Sequence, residues 1–510
     1  MLRINRSKTS NSKFPKCITG IQGLDVITNG GIPKNRPTLL LGNTGCGKTI
    51  MAMEFLVKGI EMFDEPAVFI SFEENTSELE INVKSFGFDL DKHIANNKMY
   101  LEHVRIDPDE ILKTGEYSME GLFVRLGHAI DKIKARRLVL DSLDTLFYSF
   151  DPQVLRSEFK RLLSWLKEKK VTAIITGEIG NGFLSRHGVE EYVADCVIVL
   201  DNRVVNQITV RRLRIVKYRG SLHGNNEYPF IIEEKGITVL PVISDALLQK
   251  SSSKRIPSGI KDLDEMLGNK GFYQGSSILI SGTAGTGKTS VATTFAYSVC
   301  QSKNRCLFCA FEEAPNQVIR NMRSIGISLD PLIKSGQLHF YYARPTLQNL
   351  ELHFISIKKM IAEIRPSVVI LDPITNLMTE GPNSDIRSML TRFVDYLKTE
   401  QITVMFTAAI TVGSIERNPS DEGISSMVDT WIIVQDIEVE EERIRSLCVM
   451  KSRGMAHSHY VREFNISSKG ISLPPIVRAK QASNGSKRIN KEHQNLSTAT
   501  GSHDFKETVR

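Results

Sequence analysis

The stretches LLLGNTGCGKT (residues 39–49) and LISGTAGTGKT (residues 279–289) decide how this chain is read. Each is a short apolar run that passes straight into the pattern GxxxxGK[ST]. Glycines at these positions let consecutive backbone N–H groups curl around phosphate oxygens, and the loop feeds a helix N-terminus whose dipole favours the same anion. Lys48 and Lys288 then reach toward the β- and γ-phosphates, with Thr49 and Thr289 directed at Mg²⁺. One such match can be a structural glycine turn. Two, each directly after an apolar strand, point to a pair of nucleotide cradles.

Working outward from these loops, the chain repeats itself. ITGIQGLD (18–25) returns as PSGIKDLD (257–264), FISFEE (69–74) as CAFEE (309–313), RLVLD (137–141) as VVILD (368–372), and KYRG (217–220) as KSRG (451–454). The order is kept across the set, so a whole domain has been duplicated in tandem. A basic arm over 1–16 precedes a first domain over 17–245. A polar, Ser-rich join (246–255) leads to a second domain over 256–475, and a polar tail over 476–510 has the composition of a disordered segment. Runs such as PTLLLG, PAVFISF, RLVLD and TAIITG are continuously apolar rather than alternating. That pattern predicts α/β architecture, a mostly parallel sheet in each copy flanked by helices on both faces.

The totals narrow the function classes. A length of 510 residues exceeds what one core supports, and the net charge of +7 resides in the ends. Residues 1–16 carry five basic and no acidic residues, and 477–510 carry seven basic and three acidic, which leaves 53 basic against 55 acidic between them. A body of net −2 with no basic-aromatic stripe argues against a nucleic-acid motor. No apolar run reaches the ~20 residues of a membrane helix, and the N-terminus lacks a secretory h-region. The seven cysteines show no framework spacing, and Cys306 and Cys309 read as core residues of a buried strand. A cytoplasmic protein is expected. No LSGGQ segment of the transporter type is present.

Cradling a phosphate is not cleaving it. Asp141 and Asp372 each end an apolar strand, as a Walker B carboxylate does. The pairs Glu73–Glu74 and Glu312–Glu313 close the strand after each loop helix, where ligands of open α/β sheets bind. Glu73 and Glu312 are the expected bases. Glu74 and Glu313 are expected to assist the metal or the water. Lys217/Arg219 and Lys451/Arg453, at i and i+2, read either as a surface strand or as a cationic pair serving a neighbouring γ-phosphate.

Taken together, the duplicated loops, the duplicated acid pairs, the duplicated KxRG and ISSMVDT (424–430) resemble the KaiC family, circadian-clock ATPases and autokinases of the RecA-like superfamily. The resemblance covers about residues 15–475. It implies tandem RecA-like domains, a double-ringed homohexamer with ATP between subunits, an ATPase first ring and a self-phosphorylating second ring. On that resemblance Thr44, Gly45, Cys46, Gly47, Lys48 and Thr49, with Ser85, Lys217, Tyr218, Arg219, Ser221 and His223, form the first ATP site. Ala284, Gly285, Thr286, Gly287, Lys288 and Thr289, with Arg445, Lys451, Ser452 and Arg453, form the second. It also implies Arg219 and Arg453 acting in trans, Mg²⁺ held by Thr49, Glu74, Thr289 and Glu313, and partners like KaiB and KaiA. The family's phosphorylated Ser-Thr pair falls on Ser425 and Ser426, where the first copy carries Glu191 and Tyr192. An ATP-assembled scaffold without kinase activity, or a DNA-dependent ATPase, are the competing readings.

Overall fold

The computed structural model describes residues 14–104, 119–142, 144–145, 152–180, 193–205, 208–241, 252–344, 350–378, 383–410, 426–439 and 442–476. Most of the basic arm and of the join, the polar tail from Val477, and Ser425, Glu191 and Tyr192 lie outside these residues.

The first copy is built on β1 (Pro37–Gly42), β2 (Ala67–Ser71), β3 (Met99–His103), β4 (Arg137–Asp141), β5 (Thr172–Gly177), β6 (Cys196–Val205), β7 (Ile208–Tyr218), β8 (Glu227–Glu233) and β9 (Gly236–Val239). They join in the order β9-β8-β7-β6-β1-β5-β4-β2-β3. From β6 to β3 every pairing is parallel, and beyond β6 the strands turn back antiparallel. The second copy repeats the plan with β10 (Ser277–Gly282), β11 (Cys306–Ala310), β12 (Leu338–Tyr342), β13 (Val368–Asp372), β14 (Thr403–Ala409), β15 (Thr430–Val439), β16 (Glu442–Ser452) and β17 (Arg462–Glu463), ordered β12-β11-β13-β14-β10-β15-β16-β17. The expected pair of mostly parallel α/β sheets is what the chain forms.

The apolar strands are continuous because both sheet faces are covered. On β1, Leu39 and Leu41 face the layer that holds α3 (Glu120–Ile133) and α4 (Pro152–Glu168), while Leu40 faces the layer of α1 (Lys48–Phe63). On β10, Leu279 and the pair Ile278/Ile280 divide in the same way, the pair facing α5 (Lys288–Gln301). Alternate residues of one strand thus supply two cores, and an unpartnered polar side chain on either face costs stability. Cys306 and Cys309 on β11 are wholly buried in these layers, and burial pushes both thiols up.

The two copies touch through α7 (Leu350–Ile364) of the second, which lies against β8 of the first. Glu351, 6% exposed, accepts a 3.3 Å ion pair from Arg212 on β7, and Lys359 pairs with Glu233. Behind this contact α7 stacks Phe354 on Phe393 of α8 (Asn383–Thr399), with centroids 4.6 Å apart.

Candidate functional site

Both phosphate loops fill the step from strand to helix. Gly47 and Gly287 start α1 and α5 at φ 103° and 99°, the left-handed region that favours glycine. A Cβ at Gly47 would lie 2.7 Å from Ile232 Cδ1, and one at Gly287 would lie 2.8 Å from Ile466 Cδ1. Over Gly45 and Gly285, by contrast, a Cβ would meet nothing within 4 Å. The loop is packed tightly below and open above, where an anion would sit.

Around each loop the carboxyl ends of neighbouring strands bring their acids together. Thr49 Oγ1 donates to Asp141 Oδ2 at 2.9 Å, and Thr176 at the end of β5 donates to the other oxygen. Asp372 accepts from Thr407 in the same way, and Thr289 opposes the effect of burial on that carboxyl. Burial raises Asp141 and lifts Asp372 to about 6, the hydroxyl donors opposing the shift. Lys48 Nζ donates to Gly42 O at 2.8 Å and Asn43 O at 3.2 Å, and Lys288 Nζ to Thr283 O at 2.7 Å. Burial lowers Lys288, against the charges of Asp372 and Glu312.

The acid pairs diverge, as neighbours on an extended chain do. Glu73 Oε1 turns to the Walker B end, accepting from Ser142 Oγ at 3.1 Å and Thr145 Oγ1 at 2.7 Å. Glu74 Oε2 accepts from Asn82 Nδ2 at 3.4 Å on α2 (Thr76–Lys84), one turn before Ser85, and Glu313 Oε2 accepts from Asn321 Nδ2 at 3.0 Å on α6 (Pro315–Ser324). Among the described residues no group of three His, Cys, Asp or Glu forms a metal nest. The paired threonine hydroxyl and carboxylate oxygens nevertheless suit a hard cation such as Mg²⁺, which takes one or two protein oxygens and fills the rest of its shell from phosphates and water.

The cations of KxRG stand elsewhere. Thr38 and Gly42 of β1 pair with Cys196 and Leu200 of β6, and Cys196 pairs with Tyr218 of β7. Lys217, Tyr218 and Arg219 therefore lie at the amino end of β1, while the loop follows its carboxyl end. Four residues of strand separate the two, about 13 Å before side chains are counted. Arg219 rests there on Asp195 at 3.8 Å, Tyr218 OH donates to Gly31 O at 2.9 Å, His223 stacks on Tyr218, and Ser221 bonds Leu222 O. The second copy matches. Thr430 pairs with both Ile278 and Ser452, Arg453 lies 3.9 Å from Asp429, Lys451 Nζ donates to Val428 O at 2.9 Å, and Ser452 bonds Thr430.

Arg445 is not brought together with Lys451. It faces Asp436 at the opposite end of β16, the end that holds its own loop. Its counterpart Arg211, facing Asn202, acts electrostatically on the buried Cys46 of the first loop and keeps a buried Nε with no hydrogen-bond partner among the described residues. Sequence reading missed Arg211, although the 234-residue offset of KxRG leads from Arg445 to it. Ser426 is held from two sides. Arg387 Nη2 on α8 lies 3.5 Å from its hydroxyl, and Arg453 Nη2 donates to its carbonyl at 2.8 Å.

A family model described as the KaiC ATPase matches residues 17–243 and again 256–477. The chain belongs to the KaiC ATPase family. The chain is 47% identical over 479 residues to the circadian clock protein KaiC2 of Synechocystis sp., covering 93% of this chain and 84% of that protein. It is 36% identical over 475 residues to the circadian clock oscillator protein KaiC of Synechococcus elongatus, covering 92% and 91%. Membership of an ATPase family implies that the chain binds ATP. No helix among the described residues is long and apolar enough to cross a membrane.

Proposed function

We propose that this KaiC-family ATPase works as a double-ringed homohexamer in the cytoplasm, hydrolysing ATP slowly in its first tier and phosphorylating its own Ser425 and Ser426 in the second. The carrying observation is the separation of Lys48 from Arg219, and of Lys288 from Arg453, by the length of one sheet. A chain cannot bring its own Arg219 or Arg453 to its own γ-phosphate. A head-to-tail neighbour can, with Lys217, Tyr218, Arg219, Ser221 and His223 completing one pocket and Lys451, Ser452 and Arg453 the other.

Within each pocket the loop N–H groups and the lysine neutralise phosphate charge, and Thr49 with Asp141, or Thr289 with Asp372, would hold Mg²⁺, which would supply further positive charge against the polyphosphate. Glu73 is set for base work by the Ser142 and Thr145 hydroxyls, which fix its rotamer, and Glu312 takes the same role in the second site. Glu74 and Glu313 act as supports. In the second tier the γ-phosphoryl passes to a serine hydroxyl instead of water. Each transfer adds about −1.5 to −2 charge, and on Ser426 that charge falls beside Arg387 and Arg453, so the phosphorylated state can act as a timer or signalling switch read by KaiB-like and KaiA-like partners. The 36–47% identity to clock proteins over most of the chain supports this reading.

Incubation of the full chain with γ-labelled ATP and Mg²⁺, followed by peptide mapping, tests it. Label on Ser425 or Ser426 that disappears in Lys288→Ala is the expected result. Phosphate release from intact rings without serine label would remove the kinase. Rings that form with ATP and release no phosphate would leave a scaffold.

A further inference from the structure

The two ATP sites share loop, strand order and lysine, yet differ in the wall that faces the third residue of the loop. In the first, Thr44 Oγ1 donates to Glu178 Oε1 at 3.4 Å, and the Glu178 N–H donates to Asp144 Oδ2 at 2.6 Å. Asp144 is 7% exposed, and its neighbour Thr145 is the hydroxyl that holds Glu73. Two adjacent residues, Asp144 and Thr145, thus anchor Glu178 on one side and Glu73 on the other. In the second site the matching positions are Ala284 for Thr44, Thr375 for Asp144, Ala409 for Glu178, and Pro373 and Asn376 for Ser142 and Thr145. The backbone clasp survives there, with Ala409 N–H donating to Thr375 Oγ1 at 3.4 Å. The scaffold is the same and the carboxylate is gone.

A carboxylate at the mouth of a phosphate loop repels the polyphosphate and weakens binding on its own account. It repays that cost in a reaction that must orient and deprotonate water. Resting on the proposed division of labour between the tiers, we infer that Glu178 is a second water-handling carboxylate, confined to the first site, that makes this site hydrolytic. The attacking water is held between Glu178 and Glu73. Its oxygen lone pair forms the new bond to the γ-phosphorus, the bond from that phosphorus to the bridging β–γ oxygen breaks, and that electron pair leaves with ADP. One water proton passes to Glu73 and from there to solvent, while Glu178 accepts the hydrogen bond of the other, which stays on the phosphate product. The second site, with Ala409 in that place, leaves room for a serine hydroxyl and no holder for water.

The test uses full-length Lys288→Ala, in which only the first site turns over. Glu178→Gln in that background should lower kcat on the order of 10²-fold, with the KM for ATP unchanged or lower because a repelling charge has been removed. Glu178→Asp should recover part of kcat. A merely structural role would instead raise KM or abolish nucleotide binding. Conversely, Ala284→Thr with Ala409→Glu in a Lys48→Ala chain should gain phosphate release at the expense of serine label. A kcat for Glu178→Gln within twofold of its parent, or a loss that appears wholly in KM, would overturn the inference. A Lys288→Ala chain that releases no phosphate while the wild type does is a different failure, since it would remove hydrolysis from the first tier altogether.

Discussion

Arg219 lies 3.8 Å from Asp195 at the amino edge of the first sheet, and Lys48 sits beyond the carboxyl edge of the same sheet. Asp195 also faces Lys167 at 2.6 Å and Arg36 at 3.6 Å, so one acid, 3% exposed, anchors a cationic rim. In the second half Asp429 does the same for Arg453 and Lys398. The rim is braced from behind and stands at the end of the sheet opposite the chain's own loop.

That arrangement predicts complementation between damaged subunits. Arg219→Ala and Lys48→Ala chains, each also carrying Lys288→Ala so that only first-tier hydrolysis is counted, should each lose about 10³-fold of it. Mixed and reassembled, they should recover activity well above the sum of the two, because some interfaces then pair an intact loop with an intact arginine. Steady-state phosphate release across mixing ratios measures it. A mixture that stays at the sum of its parts would place the arginine outside the neighbour's pocket.

The ion pair between Arg212 and Glu351 predicts a mechanical link between the halves. Removing one partner of such a buried pair strands the other charge, at a cost on the order of 3 kcal/mol. The chain carries one tryptophan in each half, Trp165 packed on Phe123 and Trp431 bonded to Ser281. In urea, single-tryptophan versions of the parent should report near-coincident midpoints. Glu351→Ala should separate them, the Trp431 half shifting most, and Arg212→Met with Glu351→Met should restore much of the coincidence.

A third prediction concerns pH. Glu54 is buried on α1, accepts from the Ile237 N–H at 2.7 Å, and is raised by burial from 4.5 to about 7, with Lys58 opposing. The native state therefore binds the extra proton across this window. The stabilising contribution is complete below about pH 4.5 and is lost as pH rises through 7, to a total of about 3 kcal/mol. Glu54→Gln keeps an acceptor for Ile237 and removes the ionisation. It should be more stable than the parent at pH 8 and show a flatter dependence of unfolding midpoint on pH between 5 and 8. An unchanged slope would mean that Glu54 ionises without cost.

What could be read from the chain was what is written locally. Glycines at 42, 45 and 47, the lysine after them, and acids at the ends of apolar runs carry their chemistry in a few adjacent letters, and the duplication repeated each one. Thr176 and Thr407 were hidden because a hydroxyl inside TAIITG or TVMFTAA looks like a β-branched filler. The clue was that both lie 35 residues past their Walker B aspartate. Glu178 and Asp144 were legible only by subtraction, since TGE against TAA and LDSLDT against LDPITN differ where the folds agree. Which end of a sheet Arg219 occupies depends on β7 running against β6, and the contact of α7 with β8 joins segments more than a hundred residues apart. Direction and long-range contact are set by tertiary packing, and no local pattern records them.

The turn-back of β7 has a consequence for stoichiometry. If an arginine at one pole must serve a lysine at the other, a solitary molecule is unfinished at both ends and a head-to-tail pair still leaves one pocket bare in each tier. Any open row has the same defect at its tip. Only a closed circle leaves none, so dilution alone, with every molecule intact, would disarm the enzyme.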